Sequence, residues 1–443
     1  MKKLIVLALA VIVGLCFSQP SRAAMDQGDK KFEVTGEVRF RGDMVNNVID
    51  LDSDNTSGDD DGGTVWPWRV RAAIHGNFSR NVSAHVEFQN FGYAGDIVGI
   101  NPPGANTEFF GGETLLYQGW LELGDIGGTS FDLRLGRQEL VFGSEMLLGD
   151  LDFYNGINHD GARAGWQYKK WSLDVFAMKD LDSSTVSGTG IFPTDNGGDD
   201  IGLYGAYAVF KAPKKIGFDA YALQFNDNSS APSEHLTTFG GRVYSKWDSN
   251  WTWSGELALQ TGEFETAGVT SDISGAFGLE GELAYQWRKS KIRPRVYGRI
   301  ASYSGNDDDA GESEAFNPLF QDFHARNGYM DLFRATNLDV IQAGVSWSGK
   351  EERHIFGVDL LSFTSNEQTV GGTDVGEDAL GQEIDLYYKY AYSKNVNITA
   401  AISQFSPGDL FDGVSATADS APQIVAAADD SATRVFVNTR LRF

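Results

Sequence analysis

The chain has 443 residues with 36 basic and 61 acidic side chains, a formal net charge of −25. That balance excludes nucleic acid as a partner, which would be repelled by so acidic a surface. Past the N-terminus no run of 18 or so apolar residues appears, which excludes a transmembrane helix but not a barrel, whose strands show their hydrophobicity only at alternate positions.

Residues 1–24 read as a secretory signal. Lys2 and Lys3 form the charged start, residues 4–17 the apolar stretch, and Ser21, Ala23 and Ala24 the small residues of a cleavage site. Leu15 stands before Cys16 where a lipid-attachment signal wants a small residue, so lipidation is not expected. Removing Lys2, Lys3 and Arg22 from the 36 bases leaves 33 against 61 acids, a net −28. It also removes the single cysteine, so the expected mature chain, residues 25–443, is secreted yet disulfide-free. No linker or shift in pattern divides it, and one domain is expected.

The first mature segment alternates strictly. Phe32, Val34, Gly36, Val38, Phe40, Gly42 and Met44 share one face; Glu33, Thr35, Glu37, Arg39, Arg41 and Asp43 share the other. One such strand fits a soluble sandwich as well as a barrel wall. Repetition decides between them. Trp66 to Phe78, Val82 to Phe88, Phe131 to Leu135, Trp251 to Leu259, Phe277 to Tyr285 and Ile384 to Tyr390 alternate in the same way, and such segments continue to the end of the chain. About 18 of them predict an all-β fold, a transmembrane antiparallel β-barrel.

The connections alternate too. Short ones are expected near 79–81, 124–130, 169–170, 211–217, 247–250, 288–292, 348–352 and 392–395. Long ones are expected near 45–64, 92–112, 142–158, 180–200, 226–235, 262–274, 304–337, 364–381 and 406–431. Short periplasmic turns and long extracellular loops are the outer-membrane plan, and a protease outside the cell is expected to reach 45–64 and 304–337. Trp166, Trp171, Trp247, Trp251, Trp253, Trp287 and Trp347 lie in or near the short turns, where an aromatic girdle belongs. The short turns are basic and the long loops carry most of the acid. The chain ends on alternating Thr433, Val435, Val437, Thr439, Leu441 and Phe443, a closing strand that removes the sheet edge.

From about Gly36 to Phe443 the chain resembles the alginate-export family of outer-membrane barrels. The residues that carry the resemblance are Gly136-Arg137-Gln138-Glu139-Leu140, Leu147-Leu148-Gly149, Asn155, Asp160-Gly161-Ala162-Arg163, then Ser302 to Asn306, Ala315-Phe316-Asn317-Pro318-Leu319-Phe320, Gly328-Tyr329 and Asn337. The resemblance implies an 18-stranded barrel, a polar pore and outward passage of an anionic polysaccharide such as alginate. The alternative is a porin for diffusion or uptake of small anionic solutes; an adhesin working through its outer loops is a third class.

Expected inward positions hold Arg39, Arg41, Arg69, Arg71, Arg134, Arg163, Arg242, Arg295, Arg299, Lys389, Arg434 and Arg440, with Glu87, Glu383 and Asp385 among the lumen acids. A guanidinium presents a planar fork of donors suited to carboxylates, so a ladder of them would favour anions; paired with lumen acids, they would only brace the wall. Arg69 and Arg71, and Arg295 and Arg299, each two residues apart on one inward face, are the expected carriers of an anion preference, and Glu256→Gln is expected to be tolerated. Asp50, Asp52, Asp54 and Asp61 approximate a calcium loop, although Asn55 stands where glycine is usual and Asp61 where glutamate is. No other cofactor is expected. His75 and His85 fall on inward strand positions, His159-Asp160 reads as a wall group, and no Gly-x-Ser-x-Gly occurs, so no enzyme is expected. Expected partners are outer-membrane lipid, lipopolysaccharide, the barrel assembly machinery and an anionic polysaccharide or small anions.

Overall fold

Alternation makes each segment a strand with one apolar and one polar face, and the structure turns the polar face inward. The computed structural model describes residues 31–48, 51, 62–95, 114–182, 200–211, 216–228, 233–245, 250–266, 268–306, 312–324, 326–367, 369–370, 373–374, 377–411 and 430–443. The candidate signal and the four aspartates of the calcium-like loop lie outside them.

Among the described residues 18 strands form one closed antiparallel barrel. They are β1 (Lys31–Asn46), β2 (Trp68–Ser79), β3 (Val82–Gly92), β4 (Thr114–Leu123), β5 (Phe131–Gln138), β6 (His159–Tyr168), β7 (Trp171–Asp182), β8 (Asp200–Lys211) and β9 (Ile216–Asp227). The second half is β10 (Ser233–Ser245), β11 (Trp251–Thr266), β12 (Val269–Gln286), β13 (Arg295–Tyr303), β14 (Leu338–Ser348), β15 (His354–Thr364), β16 (Ala379–Ala391), β17 (Val396–Pro407) and β18 (Ala432–Arg442). Each pairs with the next, and β1 pairs with β18 from Glu37 opposite Arg442 to Asn46 opposite Thr433. Phe443 completes the seam: its N–H donates to the Gly36 carbonyl at 3.1 Å and the Gly36 N–H to its carbonyl at 2.9 Å.

Burial is inside-out relative to a soluble protein. Phe40 is 51% exposed beside Arg39 at 2%, and Ile341 is 66% exposed beside Gln342 at 6%. Only a hydrocarbon surround makes that arrangement stable, because water would penalise an all-round apolar belt. Trp171, Trp251, Trp253, Trp287 and Trp347 are exposed beside the short turns, and Trp251, Tyr285 and Trp287 pack edge to face. Trp247 lies outside the described residues.

The short connections fall where the sequence places them; several long ones behave differently. The stretch 262–274 is no loop. It is a hairpin in which β11 runs to Thr266 and β12 starts at Val269, with a register shift between Gln260 and Gly262. Alternation fails there because both faces of a hairpin above the bilayer meet water. The 142–158 and 304–337 connections were expected outside, but their described residues turn into the barrel. Leu140, Met146, Phe316 and Phe333 are fully buried in one cluster with the inward-facing Phe176, Tyr207, Tyr303, Phe363 and Phe405. A protease on intact cells should therefore spare 312–337, contrary to the sequence expectation.

The wall register gives a direct test. Leu283 is 53% exposed and Leu257 43% on the outer face. Arginine at either, near the midplane, should destabilise the folded barrel by roughly 2–4 kcal/mol. Urea titration in lipid vesicles would measure this, with the exposed inward Glu33→Gln within about 0.5 kcal/mol of wild type. Glu256→Gln is not the neutral control expected, since Glu256 is buried and accepts from Ser144 Oγ at 2.5 Å and the Tyr221 hydroxyl at 3.0 Å.

Candidate functional site

The lumen is organised by the two segments that enter it, 139–158 after β5 and 312–337 before β14. They meet backbone to backbone. The Phe320 N–H donates to the Leu147 carbonyl at 2.9 Å, the Gly149 N–H to the Phe320 carbonyl at 2.8 Å, and the Asp322 N–H to the Glu145 carbonyl at 3.2 Å. A side chain at Gly149 would strike the Asp322 nitrogen at 2.7 Å, so this junction needs glycine. The His324 ring lies parallel to Phe153, 3.3 Å between centroids. Of the family-like residues, Leu147 to Gly149 in one segment and Phe320 in the other thus make this contact.

Irregular backbone inside a barrel leaves carbonyls without a ladder partner, and buried unpaired carbonyls are costly. Arginines of the wall supply the donors. Arg39 donates to the carbonyls of Asp152 and Tyr154. Arg41 donates to Phe153 at 2.9 Å with its guanidinium 4.0 Å over that ring. Arg69 reaches the Asp152 and Tyr154 carbonyls at 3.0 and 3.2 Å while Glu37 takes its other donors at 2.9 and 2.6 Å. Arg440 pairs with Asp152 at 2.6 Å. Burial would raise the Asp152 carboxyl, but Arg69 and Arg440 outweigh it and hold the group well below its usual range.

The second segment is clasped in the same way. Arg434 forks onto Asp43 at 3.0 and 2.8 Å and turns its third nitrogen to Asp331 at 2.7 Å and the Tyr329 carbonyl at 2.9 Å. Met330 and Tyr329 donate their N–H groups to Glu383 at 2.9 Å and Asp385 at 3.3 Å. Arg326 bonds Glu280 at 2.5 Å and the Ser144 carbonyl, tying the two segments. Arg299 lies 3.4 Å from Glu280 and donates to the Arg326 carbonyl at 2.7 Å.

The remaining inward cations are engaged to different degrees. Arg71 bonds Gln89 at 2.6 Å and covers Tyr117. Glu87 accepts from Gln118 at 2.9 Å and lies 3.9 Å from Arg71. Arg134 pairs with Glu122 at 2.6 Å, Arg163 with Asp174 at 2.8 Å and Arg295 with Glu282 at 2.6 Å. Arg242 stands 3.6 and 3.7 Å from Asp219 and Glu256, and its buried Nε has no hydrogen-bond partner among the described residues. Lys389 rests 5.2 Å from the Tyr387 ring centre. Arg69, Arg71, Arg295 and Arg299, the expected carriers, are thus each engaged with a neighbour in this state. Gln89 and Glu282 lie on the adjacent strands β3 and β12, whereas Asp152 and the Arg326 carbonyl lie in the inward segments, which periodicity does not connect to the wall. His324, Arg326 and Asp331 were missed for the same reason.

Beneath the segments, towards the short turns, lies a cavity of about 740 Å³. Its roof includes Ser144, Glu145, Asp322, His324, Arg326 and Tyr329; its walls include Arg242, Tyr244, Arg295, Tyr297, Tyr387 and Lys389. At the roof, carboxylate oxygens of Glu145, Asp150 and Asp322 come within 4.8 Å of one another. Burial, with Glu145 and Asp150 alongside, pushes the Asp322 carboxyl up to about 7; burial raises Glu145 and Asp150 as well. Among the described residues these three are close enough to surround a cation.

A family model described as alginate export matches residues 112–422, most of the chain. The chain belongs to the alginate-export family. Solved structures with the same fold include three from Pseudomonas aeruginosa. OccK11 (OpdR) has a TM-score of 0.56 at 9% identity, covering 93% of this chain and 96% of that one. OpdK, solved with vanillate, has 0.56 at 11%, covering 93% and 99%. OccK5 (OpdH) has 0.57 at 10%, covering 93% and 98%. A search of the curated proteins finds no match. Family and fold make the protein an outer-membrane channel of a Gram-negative bacterium.

Two outcomes test the clasp. Arg434→Ala leaves Asp43 and Asp331 buried without their shared cation and should cost about 3–5 kcal/mol in unfolding free energy. At the roof, Asp322 keeps its proton in the folded chain up to about pH 7, against an ordinary 3.8. Its stabilising effect is full below the lower value and lost as pH rises through the interval. Current fluctuations from segment motion should grow as pH rises from about 4 to about 7, and Asp322→Asn should flatten that dependence. A wild-type current insensitive to pH there would contradict the junction.

Proposed function

We propose that the protein is a passive conduit that carries an anionic polysaccharide such as alginate outwards across the outer membrane. Membership of the alginate-export family is the observation that carries this reading. The concentration of guanidinium groups on the lumen face is consistent with it, because a polyuronate is a string of carboxylates. The two inward segments are held by hydrogen bonds and ion pairs to the wall. Passage of a polymer requires them to withdraw, and each clasp that is broken exposes a guanidinium to the lumen. In this reading residues 1–24 are removed on secretion, the assembly machinery inserts residues 25–443 as one barrel among lipid and lipopolysaccharide, and no chemical step is catalysed.

A second reading is favoured by one feature. With both segments in place the lumen offers a cavity of about 740 Å³, a volume suited to a small solute and not to a chain. In that case the protein is a porin for small anionic solutes.

Expression in a strain that makes an acidic exopolysaccharide but lacks its outer-membrane exporter separates the two. Restored secretion is the expected result. A surface-assembled barrel that restores no secretion, yet admits small carboxylates in liposome swelling, would overturn export in favour of the porin.

A further inference from the structure

Three aromatic rings on the cavity walls share one construction. Tyr244 on β10 faces Gly217 on β9, Tyr297 on β13 faces Gly344 on β14, and Tyr387 on β16 faces Gly357 on β15 in register. A methyl group on any of these glycines would overlap the facing ring, so each tyrosine lies against bare backbone. On each ring sits a cation two residues away in sequence: Arg242 at 4.5 Å from the Tyr244 centroid, Arg295 at 4.4 Å from Tyr297, and Lys389 at 5.2 Å from Tyr387. Glycine, ring and cation form a stack that repeats on three parts of one cavity wall.

Such a stack fixes a long side chain without consuming its hydrogen-bond donors, since the ring face attracts the charge as a whole. The clasp arginines differ, because carbonyls and carboxylates take their donors. Arg295 gives one donor to Glu282. Arg242 and Lys389 retain the most. Arg242 makes loose ion pairs with Asp219 and Glu256 at 3.6 and 3.7 Å, and no ion pair within 4.0 Å is seen for Lys389 among the described residues, with Asp359 lining the same cavity. The tyrosine hydroxyls and ring edges stand beside these donors and suit the mixed polar and apolar surface of a sugar ring.

We infer that the periplasmic vestibule beneath the inward segments is a binding subsite for acidic saccharide units, with Arg242 and Lys389 as its carboxylate ligands and Tyr244, Tyr297 and Tyr387 as the supports that position them. The inference rests on the export reading and adds to it a docking place for the chain before the segments open. The subsite is reached from the short-turn side, so it favours ligand arriving from the periplasm.

The test uses the full-length barrel in planar bilayers, with a short linear oligouronate or a neutral glucose oligomer of equal length added to one side. Periplasmic oligouronate should block the current in wild type. Arg242→Gln with Lys389→Gln should weaken that block by about tenfold or more, as expected for two lost charge-assisted contacts. Lys389→Gln alone should weaken it partly, and Lys389→Arg should retain it, which separates lost charge from a misfolded wall. Equal block of wild type and the double variant, or equal block by the neutral oligomer, overturns the subsite. Failure of export appears elsewhere, as absent secretion in cells, and leaves the bilayer result to stand or fall by itself.

Discussion

A peptide group in hydrocarbon has no water to bond, so a sheet that crosses a membrane must close on itself. Everything else in this protein follows from that closure. β18 returns to β1, and the last residue, Phe443, exchanges both backbone bonds with Gly36. Once the ladder is complete, the side chains decide nothing about whether backbone groups are satisfied and are free to sort by solvent. Apolar residues such as Ile341 and Leu283 face lipid; Arg39, Asp43 and Arg434 face the lumen, buried more deeply than most residues of the outer wall.

The lumen then faces the same constraint in a second form. Segments 139–158 and 312–337 enter it as irregular chain, which is tolerated at membrane depth only where protein or water satisfies its polar groups. Arg39, Arg41, Arg69 and Arg434 do so, and their charges are balanced by Glu37, Asp43, Asp152 and Asp331. An arginine that bonds a carbonyl of the segment and a carboxylate of the wall braces the channel interior while the segment is in place. Such residues cannot also be free ligands in that state. The division of labour between clasp arginines and ring-mounted cations follows from which neighbour takes the donors, and not from any difference in residue type.

The net charge of −25 has little part in this. Charges in open water are screened beyond roughly 8 Å at physiological salt, whereas lumen groups interact through a narrower and less polarisable medium. A passing anion therefore meets the local field of Arg242 or Lys389, set by a few neighbours within hydrogen-bonding range. The same reasoning applies to Asp322, whose proton is held by burial and by Glu145 and Asp150 and not by the acidity of the chain.

The wall is legible in the order of the residues alone. Period-two alternation fixes the strands, the face of each side chain and the positions of the short turns, because those depend only on neighbours one and two residues away. It placed Arg39, Arg69, Arg242 and Lys389 on the inner face, and its family-like stretches marked 147–149 and 315–320 as special. Where the long connections go depends on contacts made in the folded barrel. Pairings such as Arg69 with Asp152, Arg434 with Asp331, or Tyr387 with Gly357 join residues 30 to more than 100 positions apart, and no periodicity reports them. Whether a lumen arginine is occupied or available depends on those distant partners. A strand's pattern records which solvent its two faces meet, and nothing in it records what another part of the chain will bring to the same place.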